Sequence, residues 1–373
     1  MIQKMDKVLS KVMQSEKNQE TECLIYVQNL DSAIRFFRAN NTKITGVFPF
    51  LKAISVSAKN SSLKNLIINP NIKFMSADLK VFAMMNVARE ILKTNGYGGE
   101  NISIAYIDTG ISQHLDFSLP QNRIIKFLDL INNKQKPYDD NGHGTFVCGV
   151  GSGNGLVSNG KLCGICPKSN IVAVKALNES GEANASKILE AMQWIYSNKT
   201  KYNIKVVCMS FGSESLGEND PIMKGANKLW ESGITVVAAA GNSGPEYHTI
   251  KSPGISPKII TVGGFDDNRL NNDQFEENFF EIAQFSSRGP SLNAFKPDVV
   301  APAVDISSCG VQEFYTTLSG TSVATPMIAG LCALYLSKHA NFTPDQIKKL
   351  LLSSCVPISF NRNKEGAGRP VFK

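Results

Sequence analysis

The 373-residue sequence contains no uninterrupted apolar run of about 18 residues, so it offers no helix expected to cross a membrane. Its first thirty residues, opening MIQKMDKVLS, hold no short apolar core of the kind that directs secretion, which makes the cytoplasm the expected location. Histidine is scarce. His114, His143, His248 and His339 form no doublet that would complete a zinc site with the lone Cys163-Gly-Ile-Cys166. That CxxC therefore reads as a turn entering a strand. The eight cysteines are scattered, with Cys148, Cys208 and Cys332 inside apolar segments. Without a secretion signal they predict buried free thiols in a reducing compartment rather than a disulfide framework. No GxGxxG follows the first long apolar strand, which argues against a dinucleotide-binding oxidoreductase.

The net charge of +7 is unevenly spread. Residues 1–85 carry 12 Lys and Arg against 6 Asp and Glu, whereas the remainder carries 27 against 26. The basic N-terminal charges are dispersed and accompany no RNA- or DNA-binding motif, so nucleic acid is not an expected partner. The contrast marks two units with different roles. In the first, CLIYVQ (23–28) reads as a strand and LDSAIRFFRAN (30–40) as a helix. KITGVFPFLKAISVSA (43–58) reads as a hairpin, SLKNLIIN (62–69) as a second helix and IKFMSA (72–77) as a last strand. That order suits a small α+β domain of the split-βαβ, ferredoxin-like kind, and no nucleophile, base or metal cluster stands out in it.

From about Gly98 the pattern changes to continuous apolar strands separated by loops and helices. The strands are ISIAYID (102–108), IVAVKAL (171–177), KVVCMSF (205–211), ITVVAAAG (234–241) and IITVGG (259–264), with SKILEAMQWIYSNKT and PIMKGANKLWESG as helices between them. Strands apolar on both faces, alternating with helices, predict a parallel sheet covered on both sides. Ligands on such sheets bind beyond the C-terminal strand ends, so the polar residues there are where chemistry is sought.

Asp108 ends the first strand in YIDTG, where its carboxylate could bind a metal, orient a base or cap the next turn. His143, in DDNGHGTFVCGV, has glycines on either side and opens an apolar helix, a setting open to a structural or a functional role. Asn242 ends VVAAAGN, as a turn residue or as a donor aimed into a site. Ser322, in LSGTSVATPMIAG, precedes small and apolar residues at helical spacing, as a helix cap or as a nucleophile. Ser319, three residues earlier, has no supporting context. Together the four supply the parts of a serine acyl-transfer site. Ser322 would attack a carbonyl, His143 would take its proton, and Asp108 would hold the imidazole tautomer and stabilise the imidazolium. The Asn242 side chain and the Ser322 backbone N–H would stabilise the oxyanion, helped by the partial positive charge of the helix N-terminus.

The segments carrying these residues resemble those of the subtilisin-like serine proteases, or subtilases. The matching blocks are AYIDTGI with HLDF, NGHGTFVCG, AVKALNESGEANAS, MSFGS, VVAAAGNSG, SPGISPKIITVGG, FSSRGP, KPDVVAPA and SGTSVATPMIAG, in family order over residues 100–335. The resemblance implies a three-layer α/β/α fold with a mainly parallel central sheet over residues 80–373. It also implies a serine endopeptidase with Asp108, His143 and Ser322 as triad and Asn242 in the oxyanion hole. Ser210, Phe211 and Gly212 would form one wall of the pocket for the residue preceding the cut (P1), and Ala240 with Gly241 another. Gly181, Glu182 and Ala183 would be the edge that pairs with an extended peptide. Lys251 aligns with the base of that pocket, where it either meets acidic P1 residues or, as expected here, snorkels to solvent. Pro253 falls where a cis proline is common. Phe146 and Cys148 beside the histidine, and Val323 after the nucleophile, depart from the family pattern. Val323 is apolar, so catalysis is expected to survive.

No cofactor is implied. SGNGLVSNGKLCGICP (152–167) lacks a carboxylate cluster, so any calcium site is expected to be weak and built from carbonyls. In size, element order and position, residues 1–79 resemble the propeptide of many subtilases, which assists folding and then inhibits the enzyme. The implied cut lies between about Phe74 and Met84, and the implied partners are a polypeptide substrate and the chain's own prodomain. The whole resembles intracellular bacterial members. The alternatives are a dedicated processing protease for one partner proenzyme, for example in sporulation or germination, and a silent pseudoprotease. The four intact residues argue against the last.

Overall fold

A computed structural model of the chain describes residues 5, 9, 20–40, 42–77, 85–269 and 277–373. Those up to Ala77 belong to one unit and those from Met85 onward to a second. The expected boundary between residues 79 and 80 lies outside the described residues.

The first unit contains strands β1 (Glu20–Val27), β2 (Lys43–Phe48), β3 (Ala53–Lys59) and β4 (Ile72–Ala77), with helices α1 (Leu30–Ala39) and α2 (Asn60–Leu66). Asn29 caps α1 by accepting from the Ser32 N–H at 2.9 Å, and Asp31 and Arg38 sit at the ends that the helix dipole favours. The strands pair antiparallel in the order β2-β3-β1-β4. β1 and β2 thus flank β3, the split-βαβ order expected from the sequence. Alternate residues of β1 turn inward, and Cys23, Ile25 and Val27 meet Phe37, Ile54, Val56 and Leu63 in the core. α2 ends at Leu66, short of the expected Asn69, ahead of Pro70, whose ring disfavours helical backbone at the residue before it.

In the second unit the main sheet comprises β5 (Ser103–Asp108), β6 (Ile124–Asp129), β7 (Asn170–Lys175), β8 (Ile204–Met209), β9 (Thr235–Ala239), β10 (Ile260–Asp266), β11 (Glu281–Ile282) and β12 (Val299–Pro302). Their order is β11-β10-β9-β8-β5-β7-β6, with β12 beside β10, and all pairs are parallel except β10 with β11. Every residue of β5 and β9 is buried, as continuous apolar strands of a covered parallel sheet require. The principal helices are α3 (His143–Ser152), α4 (Ala185–Asn198), α5 (Pro221–Glu231), α6 (Thr321–Lys338) and α7 (Pro344–Ser353). α3 packs on α6 and α4 on α5, and both pairs pack on the sheet in the subtilisin-like α/β/α arrangement. A hairpin of β13 (Ile306–Cys309) and β14 (Tyr315–Leu318) runs along α3 and leads into α6.

Three strands stop before their expected ends: β7 at Lys175, β8 at Met209 and β9 at Ala239. Beyond β7 the Ala176 and Leu177 N–H groups both turn onto the Asp108 carbonyl, at 3.0 and 3.2 Å, and cannot continue a ladder. The freed residues become the loops at the sheet's C-terminal edge. α6 carries Pro326 in its interior, which removes a helical hydrogen bond at a cost of about 3 kcal/mol. Burying Val323, Met327, Ile328, Leu331, Leu334 and Leu336 stabilises by about 1.5–3 kcal/mol each, so the helix persists.

Candidate active site

Asp108 closes β5 and is buried. Its Oδ1 accepts from the Thr109 N–H at 2.8 Å and from His143 Nδ1 at 2.7 Å. Its Oδ2 has no hydrogen-bond partner among the described residues. His143 is the first residue of α3, and its position is set by a carboxylate absent from the sequence reading, Asp139. Asp139 Oδ2 accepts from Thr145 N at 2.8 Å and Thr145 Oγ1 at 2.7 Å, capping the helix. Its Oδ1 accepts from Thr109 Oγ1 at 2.9 Å, and Thr109 Oγ1 accepts from Gly144 N at 2.9 Å. The turn after Asp108 is thereby tied to the helix that carries the histidine. Glycine is required at 144, because a Cβ there would lie 2.3 Å from the Gly110 carbonyl oxygen.

Burial opposes protonation of His143, but the Asp108 carboxylate, its hydrogen bond and the charge of Asp139 outweigh it and raise the imidazole above its ordinary value. A base with this environment is neutral, and competent to take a proton, only above a pH higher than that of a free histidine.

Asn242 follows β9. Its Oδ1 accepts from both the Thr321 N–H and the Thr321 hydroxyl, each at 2.9 Å, which commits the oxygen and leaves the NH2 pointing elsewhere. Thr321 Oγ1 in turn accepts from Gly241 N at 3.2 Å. A Cβ built on Gly320 would stand 3.2 Å from both Asn242 Nδ2 and Ser322 Oγ, so the amide donor and the serine hydroxyl converge over that glycine. Gly320, not Ser322, occupies the N-cap of α6. Ser322 is the second helical residue, so the helix-cap reading is corrected. Its half-buried hydroxyl has no hydrogen-bond partner among the described residues, His143 included. Catalytic hydrogen bonds are commonly loose before substrate binds.

The structure therefore joins Asp108 to His143 and brings Asn242 beside Ser322, with α3 packed on α6 between the two pairs. Ser210, Phe211 and Gly212 follow β8, and Ala240 and Gly241 follow β9. A Cβ on Gly212 would meet Lys251 Cβ at 2.7 Å, and one on Gly241 would meet Lys251 Cγ at 2.5 Å. The lysine stem is wedged between the two expected walls. Its stem is largely covered there, and its ammonium ends at the surface on the exposed Glu214. The Ser252–Pro253 peptide is cis, in keeping with the sequence reading.

Gly181 and Glu182 lie in a turn rather than in a regular strand. The Asn178 side chain accepts from Ser180 N and Glu182 N, Asn178 N donates to Glu182 O, and Gly181 takes φ +78°, which together close a tight turn. Ala183 lies just beyond it. The cluster of His114, Asp116 and Cys309 does not offer open metal ligands. The His114 ring nitrogens engage Phe314 O and Asp116 N, and the Asp116 oxygens accept from Tyr315 and Val157 N.

The subtilase family (peptidase S8) matches residues 99–369. The chain belongs to the subtilase family. This subtilase is 36% identical over 344 residues to serine protease AprX of Bacillus subtilis (strain 168), covering 84% of the chain and 76% of that protein. It is 33% identical over 270 residues to subtilisin DY of Bacillus licheniformis, covering 72% and 88%. Among solved structures it is similar to Sphericase, with a TM-score of 0.66 at 25% identity, over 79% of this chain and all of that one. The protein is a serine endopeptidase. Three residues around the site escape a reading of sequence: Asp139, Glu214 and Thr321. The available signal was faint: Asp139 is a carboxylate shortly before a glycine-flanked helix start.

Proposed function

We propose that this serine endopeptidase is made as a self-processing zymogen and cleaves polypeptides through Asp108, His143 and Ser322. Support for the reading rests chiefly on the 2.7 Å bond between His143 and a buried Asp108, with a serine hydroxyl on the adjoining helix that has no partner among the described residues. Ser322 Oγ adds to the scissile carbonyl carbon while its proton passes to His143 Nε2. Asp108 holds Nδ1 and balances the imidazolium. The carbonyl oxygen, now an anion, is met by the Asn242 NH2 and the Ser322 N–H. Return of the proton from His143 to the amide nitrogen breaks the C–N bond, frees the amine and leaves an acyl-enzyme. Water, deprotonated by the same imidazole, then releases the acid and restores Ser322.

The chemistry needs no cofactor, and a weak calcium site of carbonyls in 152–167 is the one ion site proposed. The first unit, with its split-βαβ sheet, acts as propeptide and inhibitor, and residues 80–373 as the catalytic domain. The proposed cut between 74 and 84 falls largely on residues outside the described set. The eight cysteines are all free thiols, which suits the reducing cytoplasm.

Gly181, Glu182 and Ala183 receive the substrate backbone, and Ser210, Phe211, Gly212, Ala240, Gly241 and Lys251 surround P1. Lys251 is the fixed charge there and Glu214 a displaceable one, since Glu214 is 86% exposed and such a pair is weak. Peptides with Glu at P1 are expected to lose about 10-fold in kcat/KM on Lys251→Ala, whereas Phe at P1 gains by the same order as the stem is cleared. A P1-varied library on both proteins reads this out. No loss for Glu at P1 would refute the acidic preference.

A fluorophosphonate probe followed by N-terminal sequencing tests the main reading. Labelling at Ser322 and a new N-terminus between 74 and 84 are expected. A folded chain that resists the probe would overturn the mechanism, and an intact, active chain would overturn self-processing.

A further inference from the structure

Lys175 closes β7 and is fully buried, a costly place for an ammonium that is not fully satisfied. Its Nζ donates to Thr109 O at 2.6 Å, Asp140 Oδ1 at 2.6 Å and Leu177 O at 3.0 Å, which uses all three of its protons. The three acceptors lie on three separate loops. Thr109 follows Asp108, Asp140 lies in the loop that leads to His143, and Leu177 opens the Asn178–Glu182 turn. Lys175 is also the direct partner of Asp108 in the β5–β7 register. The Tyr138 ring stands 5.3 Å from the ammonium and screens it from water.

We infer that Lys175 is a positioning residue for the proteolytic site. It locks the Asp108 turn, the loop before His143 and the turn beside the peptide-binding edge into one frame. None of these contacts is to a reacting atom, so the effect reaches chemistry through Asp108 and His143. Lys175 is in addition a buried cation set among carboxylates. The elements packed on α3 bring Asp108 from β5, Asp139 and Asp140 from the preceding loop, Cys309 from β13, Cys332 from α6 and Asp116 from the helix at 115–118. Burial keeps Cys148, Cys309 and Cys332 protonated, and Asp116 is taken up by Tyr315 and Val157 N. Of the charges left, Asp108 and Asp139 raise the His143 imidazole, while Asp140 lies three residues before it in the chain and Lys175 stands opposite Asp108 in the β5–β7 register.

The inference rests on the triad reading, and the test separates the two. Wild type, Lys175→Met and Asp140→Ala are compared by fluorophosphonate labelling and by pH profiles of kcat and KM on one peptide. Lys175→Met is expected to lower kcat/KM by about 10- to 100-fold, the scale of a small misplacement of the catalytic groups. Its acid limb should move up in pH, because the imidazolium loses a nearby cation. Asp140→Ala, at a side chain 32% exposed, is expected to fold, to lower kcat/KM by several-fold and to move the limb down in pH. Limbs displaced in opposite directions are the signature, since a purely structural defect would lower activity without moving either. Unchanged kcat/KM and pH profile in Asp140→Ala would overturn the inference even if Lys175→Met failed to fold. A wild-type chain that does not react with the probe would instead remove the triad reading itself.

Discussion

Replacing Ser322 by alanine is expected to lower kcat by about 10⁶-fold, the scale known for subtilisin, and to leave the purified chain at full length. The expectation is unusually clean because the substitution should not disturb the fold. Ser322 sits in the first turn of α6, where alanine is a better helix former, and its hydroxyl has no partner that would be stranded among the described residues. Loss of activity with an unchanged melting temperature would therefore report chemistry alone. Wild type and variant are compared by gel, by peptide turnover and by thermal melting. A variant that still separates into two fragments would show that another protease makes the cut, and one that still hydrolyses peptide would remove Ser322 as nucleophile.

Asp108→Asn is expected to reduce kcat by about 10⁴-fold and to move the acid limb of the kcat/KM profile to lower pH. The sign follows from the environment of His143. Burial disfavours the imidazolium, and only Asp108, its hydrogen bond and Asp139 hold the histidine above its ordinary value. With the Asp108 charge removed, less opposes burial, so the imidazole deprotonates at lower pH. The variant's limb should lie below that of wild type, and an unmoved limb would contradict the electrostatic role. Stability responds in the same frame. A histidine raised in the folded state contributes stability below its unfolded value of about 6.5, and this is lost as pH rises through the folded value. The difference in stability between wild type and Asp108→Asn should therefore be larger at pH 5 than at pH 9.

The parts of the site legible in the sequence share one property. Asp108, His143, Asn242 and Ser322 each stand at the end of an apolar strand or at the start of an apolar helix, where periodicity alone marks the position. Thr321, Asp139, Lys175 and Glu214 have no such address. Thr321 holds Asn242 across 79 positions, Lys175 reaches Asp140 across 35 and Lys251 meets Glu214 across 37, and no local pattern encodes pairs that distant. The strand ends were overextended for a related reason. IVAVKAL ends on two apolar residues that read as a continued strand, yet the Asp108 carbonyl captures Ala176 N and Leu177 N and turns the chain. Gly181 read as part of an extended edge, whereas the Asn178 side chain folds that segment into a turn. Lys251 buries its stem where the absence of Cβ atoms at Gly212 and Gly241 leaves room, and its ammonium reaches the surface at Glu214.

The near-complete burial of α6 divides the molecule by how freely it can vary. Ser322, the proposed nucleophile, rides on a rod whose interior admits almost no change. At Gly330 even a methyl group would meet Ile165 Cβ at 2.8 Å, and any shift there would be carried along the rod to its first turn. Residues 214 and 251, by contrast, meet in a pair at the protein surface, so a library built at those positions should recover new cleavage preferences without losing folded protein. On the proposed mechanism, reactivity sits where packing resists substitution and choice of substrate where it tolerates it.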